Sequence, residues 1–317
     1  MRSERVKKIK KNFFLLILFS VLFFLFFGLC SCVSTAASAE EYYLIGMAYF
    51  DIGKFDEAER WLNRARQADR TMVASTYNLG RLAFERKRYD EAAGYFEDIL
   101  RRDQDNILAL RAAAYTRIAM GDIDIAGRHY SRLLQLVPES ADDGYNHALV
   151  LFAMKRFSEA EAVLEKYPFA LADNKDVLLL YARSQAASNK IEAINSFADW
   201  LAVYSDSKVR YEYAQTLEYH EFYARALEEY RLTLSETAAA SVDPKRSNIR
   251  FAIARVLLFA DHESSEGITE LEDAVKDGFD NIEALEELMN NTRINAANIN
   301  NIRNIIYNIQ NTGNTDS

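Results

Sequence analysis

Glycine and proline are scarce in this chain of 317 residues: 11 of one and 3 of the other, together about 4 %, where ordinary chains carry roughly 12 %. Turns and bulges draw on those residues, so the shortage excludes a turn-rich β-fold and points to helix nearly throughout. Cysteine is scarcer still. The two residues, Cys30 and Cys32, both lie near the N-terminus and allow no disulfide framework beyond one bond. Positive charge is also in deficit, with 38 Lys and Arg against 47 Asp and Glu and a formal net charge of -9. That balance argues against a general affinity for nucleic acid, whose phosphates call for a basic surface. Half of the residues are apolar and 27 % are charged, which excludes wholesale disorder. The length suits two ordinary domains, or one elongated array with no single central core.

The charge is unevenly distributed. Arg2, Arg5, Lys7, Lys8, Lys10 and Lys11 stand against a lone Glu4, and an apolar run from Phe13 to Leu29 follows at once, interrupted only by Ser20 and Gly28. A basic start before such a run marks a secretory signal or a membrane anchor, and its length alone does not say which. The next residues, Leu29-Cys30-Ser31-Cys32, resemble the lipobox of bacterial lipoproteins, in which the cysteine is acylated and becomes the mature N-terminus. That resemblance implies removal of residues 1–31, lipid on Cys32 and a tether over 32–38. The other reading is an uncleaved anchor. Without residues 1–31 the chain keeps 32 basic and 46 acidic residues, a charge of -14.

The remaining sequence repeats itself. Ala58, Ala92, Ala126 and Ala160 are each 34 residues apart, as are Gly46 and Gly80. Around the alanines recur Gly53-Lys54-Phe55-Asp56-Glu57-Ala58, Lys87-Arg88-Tyr89-Asp90-Glu91-Ala92, Gly121-Asp122-Ile123-Asp124-Ile125-Ala126 and Lys155-Arg156-Phe157-Ser158-Glu159-Ala160. Each phrase reads as a short turn, an aromatic residue or Ile, then an Asp or Ser suited to an N-cap and usually a carboxylate near the helix start. The unit is helix, turn, helix.

These residues resemble the tetratricopeptide repeat, with its W-x2-L-G-x2-Y, A-x3-F and P pattern. Tyr42-x2-Ile45-Gly46-x2-Tyr49 with Ala58-x3-Leu62, then Leu79-Gly80 with Ala92-x3-Phe96, then Ala126-x3-Tyr130 with Pro138 carry the likeness, and Ala148 with Ala160-x3-Leu164 extends it. Less regular pairs follow over 178–201, 211–230 and 249–274. The resemblance implies an all-α, right-handed superhelical solenoid of about seven helix-turn-helix repeats over 39–280, with Pro168 interrupting the fourth. Residues 281–317 then form a capping helix and an Asn-rich tail. Ile299, Ile302, Ile306 and Ile309 have the spacing of an amphipathic helix, while the asparagines leave partial disorder as the alternative.

In this family the first helix of each repeat lines a concave groove through its second, fifth, ninth, twelfth and thirteenth positions. Carried over, the resemblance implies a partner-binding groove made by Tyr43, Met47, Phe50, Tyr77, Arg81, Phe84, Arg111, Tyr115, Tyr145, Phe152, Arg183 and Tyr211. Aromatic residues and Arg are the types that anchor interfaces. The same rings also suit plain packing between repeats. One family branch clamps acidic C-termini with Lys, Asn and Arg, but of that clamp only Asn78 stands here.

Catalytic and metal signals are lacking. The four histidines are scattered, His220-Glu221 lacks the second His of a zinc-hydrolase helix, and no phosphate loop, nucleotide fingerprint or serine elbow occurs. Asp261-His262-Glu263 falls in a turn. The sequence therefore predicts no enzyme, no cofactor and no metal. It predicts an exported adaptor, anchored to a membrane by its N-terminal lipid or anchor and facing the periplasm, whose groove takes a protein or peptide. It resembles bacterial envelope lipoproteins with such repeats, which serve as assembly scaffolds and which spirochaetes also use. An accessory ligand-binding subunit of an envelope transport system is the other reading.

Overall fold

A computed structural model describes residues 38–238, 243–260 and 264–312. Residues 1–37, with the basic stretch, the apolar run and Cys32, lie outside it, as does Asp261-His262-Glu263. Among the described residues all regular structure is α-helical. The chain runs α1 (Ala39–Asp51), α2 (Phe55–Ala68), α3 (Val73–Glu85), α4 (Tyr89–Arg102) and α5 (Ile107–Met120), then α6 (Ile123–Leu136), α7 (Ala141–Ala153), α8 (Phe157–Leu164) and α9 (Pro168–Asp173). It continues with α10 (Lys175–Ala187), α11 (Ala193–Val203), α12 (Ser207–Tyr219), α13 (Tyr223–Glu236), α14 (Arg246–Ala260), α15 (Ser265–Lys276), α16 (Ile282–Met289) and α17 (Ala296–Thr312). These residues form two compact units, one reaching to Gly121 and the other beginning at Asp122. Within each, helices pack mainly on their neighbours in sequence, as a stack of helix pairs does.

The first helix of a pair ends in a left-handed residue at a fixed interval. Gly53, Lys87, Gly121, Lys155 and Asn189 all have positive φ and stand 34 apart, and Glu221 continues the series two residues early. The hydrogen bonds identify the motif. At the second turn Lys87 N–H donates to Phe84 O and Arg88 N–H to Ala83 O, both at 2.8 Å, the paired bonds of a Schellman stop. The same pair closes the turns at Gly53, Lys155, Asn189 and Glu221. Glycine takes this conformation without strain, whereas Lys and Glu must accept a crowded Cβ.

That stop corrects one sequence expectation. Asp56, Asp90, Asp124 and Ser158 are the second helical residues, not the N-caps, and the side chains of the caps Lys54, Arg88, Asp122 and Arg156 make no capping bond to the helix backbone. The chain re-enters helix so soon after the left-handed residue that Phe55, Tyr89, Ile123 and Phe157 become the first helical positions. The carboxylates at Asp56, Asp90 and Asp124 still lie in the first turn, where the positive end of the helix dipole favours them. Entry to the first helix of a pair is different. Ser38, Asn106, Ser140, Asn174 and Asp206 each accept a backbone N–H through their side chains, and Ser38 forms a reciprocal capping box with Glu41.

Packing follows the alanine and glycine series. Ala58, Ala92, Ala126, Ala160 and Ala226 are fully buried, as are Ala114, Ala148, Ala182, Ala214 and Ala254 on the partner helices. At Gly80 a Cβ would lie 2.6 Å from the Phe96 ring, closer than any packed carbon tolerates. The fourth pair departs from the pattern. Its second helix, α8, has only 8 residues, and Pro168 starts α9 as its first residue, the helical position at which a missing N–H costs least. At the C-terminal end α17 runs to Thr312. Ile302, Ile305 and Ile306 of α17 are buried in one cluster with Leu271, Leu285 and Leu288.

Candidate protein-binding groove

In the first unit the predicted groove positions lie on α1, α3 and α5. The Asn78 amide donates to the Tyr43 hydroxyl at 3.2 Å and accepts from Arg81 Nη1 at 3.0 Å, so one buried amide orients a groove residue on each of two helices. The Arg81 guanidinium sits 5.0 Å above the centre of the Phe50 ring, a cation–π contact between α1 and α3. Phe84 and Tyr115 repeat the theme between α3 and α5, with ring centres 5.3 Å apart. Arg81, Arg111 and Tyr115 are exposed and Met47 is half-buried. Tyr77 turns the other way, packing against Phe96 of α4 at 5.6 Å. Phe50 and Phe84 also brace Phe55 and Tyr89 across the turns of their own pairs.

In the second unit the first helices α7, α10 and α12, with α11 behind them, enclose a cleft of about 600 Å³. Phe152 of α7 and Arg183 of α10, both predicted groove residues, line it, together with Lys208, Glu212, Tyr219 and His220 from α12 and its end. Arg183 binds the Glu212 carboxylate with two parallel bonds, Nε at 2.7 Å and Nη2 at 2.9 Å. A forked pair of this kind fixes both side chains. Beside it the half-buried Tyr145 phenol is pushed above its usual pKa by burial and then by the charge of Asp176. His220 keeps Nε2 buried without a hydrogen-bond partner, and its ring meets the Tyr219 ring edge-on at 5.1 Å.

Tyr211 is not part of that open surface. Its ring packs on the fully buried Tyr230 at 5.4 Å, and burial raises its pKa. Tyr230 donates to Glu218 Oε2 at 2.8 Å, and Glu218 also takes Arg255 Nε and Nη2 at 2.5 and 2.8 Å. Sequence reasoning passed over Lys208 and Tyr219. Both occupy the second and thirteenth positions of a helix whose fifth is Tyr211, so the same register contained the signal.

Among the described residues no three or more His, Cys, Asp or Glu side chains come together to hold a metal ion, and no helix is long and apolar enough to cross a membrane.

Comparison with known proteins agrees with this geometry. Residues 43–107 match the family model for the tetratricopeptide repeat. An uncharacterized lipoprotein of Treponema pallidum is 26 % identical over 161 residues, which is 50 % of this chain and 82 % of that protein. Protein O-mannosyl-transferase Tmtc3 of Drosophila melanogaster is 28 % identical over 138 residues, and the match covers 43 % of this chain but only 15 % of the length of that relative. The crystal structure of a tetratricopeptide repeat protein from Parabacteroides merdae superposes with a TM-score of 0.52 at 19 % identity, over 79 % of this chain and 96 % of the other. YrrB, described as a tetratricopeptide repeat protein with an unusual peptide-binding site, gives 0.51 at 14 %, over 61 % and 96 %. At these identities the solved structures establish the helical repeat fold alone. Residues 43–107 are thus matched to the tetratricopeptide repeat, the described chain shares the helical repeat fold of such proteins, and repeats of this family mediate contacts between proteins.

Proposed function

Taking the tetratricopeptide repeat as premise, we propose that this protein is a membrane-anchored adaptor of the bacterial cell envelope that holds a protein or peptide segment in its groove and performs no chemistry. The observation that carries the reading is the cleft on α7, α10 and α12. Phe152 and Tyr219 offer apolar and amphipathic contact there, and the paired Arg183 and Glu212 present a fixed donor and acceptor pattern to a backbone or a polar side chain. Arg81, Phe84 and Tyr115 offer a similar surface on the first unit. The array over 39–280 supplies the scaffold. Cys32 carries lipid, residues 1–31 are removed, and 32–38 is the tether. The lipoprotein from Treponema pallidum supports the envelope placement.

The test is a photo-crosslinking residue placed at Tyr219 in the full-length protein in intact cells. Adducts of discrete mass containing a second polypeptide are expected, and they should disappear when Phe152→Ala is added. Adducts equally abundant from an exposed helix position outside the cleft, such as Gly94, would sink the groove assignment. His220 favours a second reading, an accessory ligand-binding subunit of a transport system, because its unpartnered Nε2 invites a polar group from a small molecule. Native mass spectrometry separates the two: a stoichiometric small ligand belongs to the second reading only.

A further inference from the structure

The first helix carries a face that none of the described residues covers. Leu44, Ile45 and Ile52 are 59, 37 and 65 % exposed, and Ala48 between them is exposed as well. Leu44, Ala48 and Ile52 are spaced four apart and form one ridge along α1, on the side away from Gly46, which abuts Leu62 of α2. The repeat itself shows what such a face is for. One period on, Leu79 and Leu82 of α3 replace Ile45 and Ala48 and are buried, because α3 has a preceding pair to pack against. α1 thus presents a repeat-to-repeat contact surface with no preceding repeat among the described residues.

The segment just upstream of α1 is shorter than the helix that covers this face elsewhere. Each second helix of the first two pairs has 14 residues, whereas only 9 residues, 30–38, separate the apolar run from α1. The apolar run itself is removed or lies in the membrane under the reading of the N-terminus proposed above, on which this argument rests.

We infer that the α1 face is a contact between two copies of this protein, packed about a two-fold axis near Ala48. Three features favour a second copy over other occupants. The ridge is symmetric about its small central residue, with Leu44 and Ile52 one turn to either side, so two such ridges interdigitate with Ala48 at the crossing. Its ends differ in charge: Glu40 and Glu41 open the helix, whereas at the far end Asp51 is offset by the exposed Lys54. An antiparallel pair brings Glu40 and Glu41 toward Lys54 of the other copy, while a parallel pair sets acid against acid. A bilayer is the poorer occupant, because α1 carries Glu40, Glu41 and Asp51 and no basic residue. The ridge is small for a dimer in dilute solution. Anchoring both copies to one membrane raises their effective concentration and populates the contact there.

The test uses the full-length protein in its own membranes. Ala48→Cys should give a disulfide-linked dimer on mild oxidation, at a yield at least five-fold above the unsubstituted protein and above Gly94→Cys, a site on α4 with open space around it. Adding Leu44→Glu, an exposed substitution, should reduce that yield several-fold while the helical circular dichroism stays the same. Equal yields from Ala48→Cys and Gly94→Cys would overturn the inference. So would a Leu44→Glu variant that keeps its cross-link but loses binding of protein lacking residues 1–38 to lipid vesicles, since that result assigns the face to the bilayer. Mass spectrometry of the N-terminal peptide reads the processing separately: a chain that retains residues 1–31 and leaves the membrane on carbonate washing refutes the anchoring reading, whatever the cross-link shows.

Discussion

The Tyr167 ring lies against the backbone of Gly144, so close that a Cβ at that position would come within 2.1 Å of it, and its hydroxyl donates to Pro138 O at 3.0 Å. This contact closes the fourth pair. Tyr167 lies just beyond the end of α8 and is buried. Gly144→Ala is expected to destabilise the protein by about 1–3 kcal/mol through overpacking, seen as a lower midpoint in thermal unfolding. Tyr167→Leu should partly restore the double variant, and a Gly144→Ala protein of unchanged stability would mean the ring has room to move.

Lys87 and Lys155 hold left-handed turns with φ of 59° and 60°. Replacing either by Gly should raise stability by about 0.5–1 kcal/mol, the strain relieved outweighing the added freedom of the unfolded chain. Denaturant midpoints measured beside Gly53→Ala, which should shift the opposite way, check the sign. Parallel shifts would refute the role given to the turn.

Glu218 is engaged by both Tyr230 and Arg255. Arg255→Ala strands a largely buried carboxylate and is expected to cost about 2–4 kcal/mol, whereas Glu218→Gln, which keeps an acceptor, should cost less. Comparable losses in the two variants would show that packing, not charge, dominates the site.

Burial, and secondarily the charge of Arg156, holds the His147 imidazole below its ordinary pKa of 6.5. As pH falls through 6.5 the unfolded chain takes up a proton that the folded protein refuses. The stability tied to neutral His147 is therefore present above 6.5 and drains away below it until the folded value is passed. His147→Gln should flatten the stability profile just beneath pH 6.5, and an identical slope in both proteins rules the group out.

For the N-terminus, Cys32→Ser should abolish acylation and leave an N-terminal peptide of altered mass. Persistence of an acylated peptide in that variant would exclude Cys32 as the attachment point.

The repeat was legible because its signals are small residues under strict constraint. Ala92 or Gly80 admits no larger side chain, so the period survives in the sequence. Helix starts were less legible: Asp56 looks like an N-cap, yet the backbone geometry of the preceding turn, which no residue type announces at Lys87, moves the boundary two residues upstream. Side-chain direction was least legible. Tyr77 and Tyr115 both stand on first helices at positions assigned to the groove, and only the presence of Phe96 beside one of them decides that it packs inward. Pro168 read as a break and proves to be a beginning, since a first helical residue needs no N–H.

Helices that touch mainly their sequence neighbours have a consequence for how the protein is made. Within the first unit, α1 and α2 can close on each other as soon as residue 68 has left the ribosome, without waiting for any distant segment. Within each unit a later pair finds a finished template on which to dock. Each unit can thus acquire structure vectorially, from its N-terminal end onward, and a premature stop beyond its first pairs would leave a shorter stack, not an unfolded polypeptide.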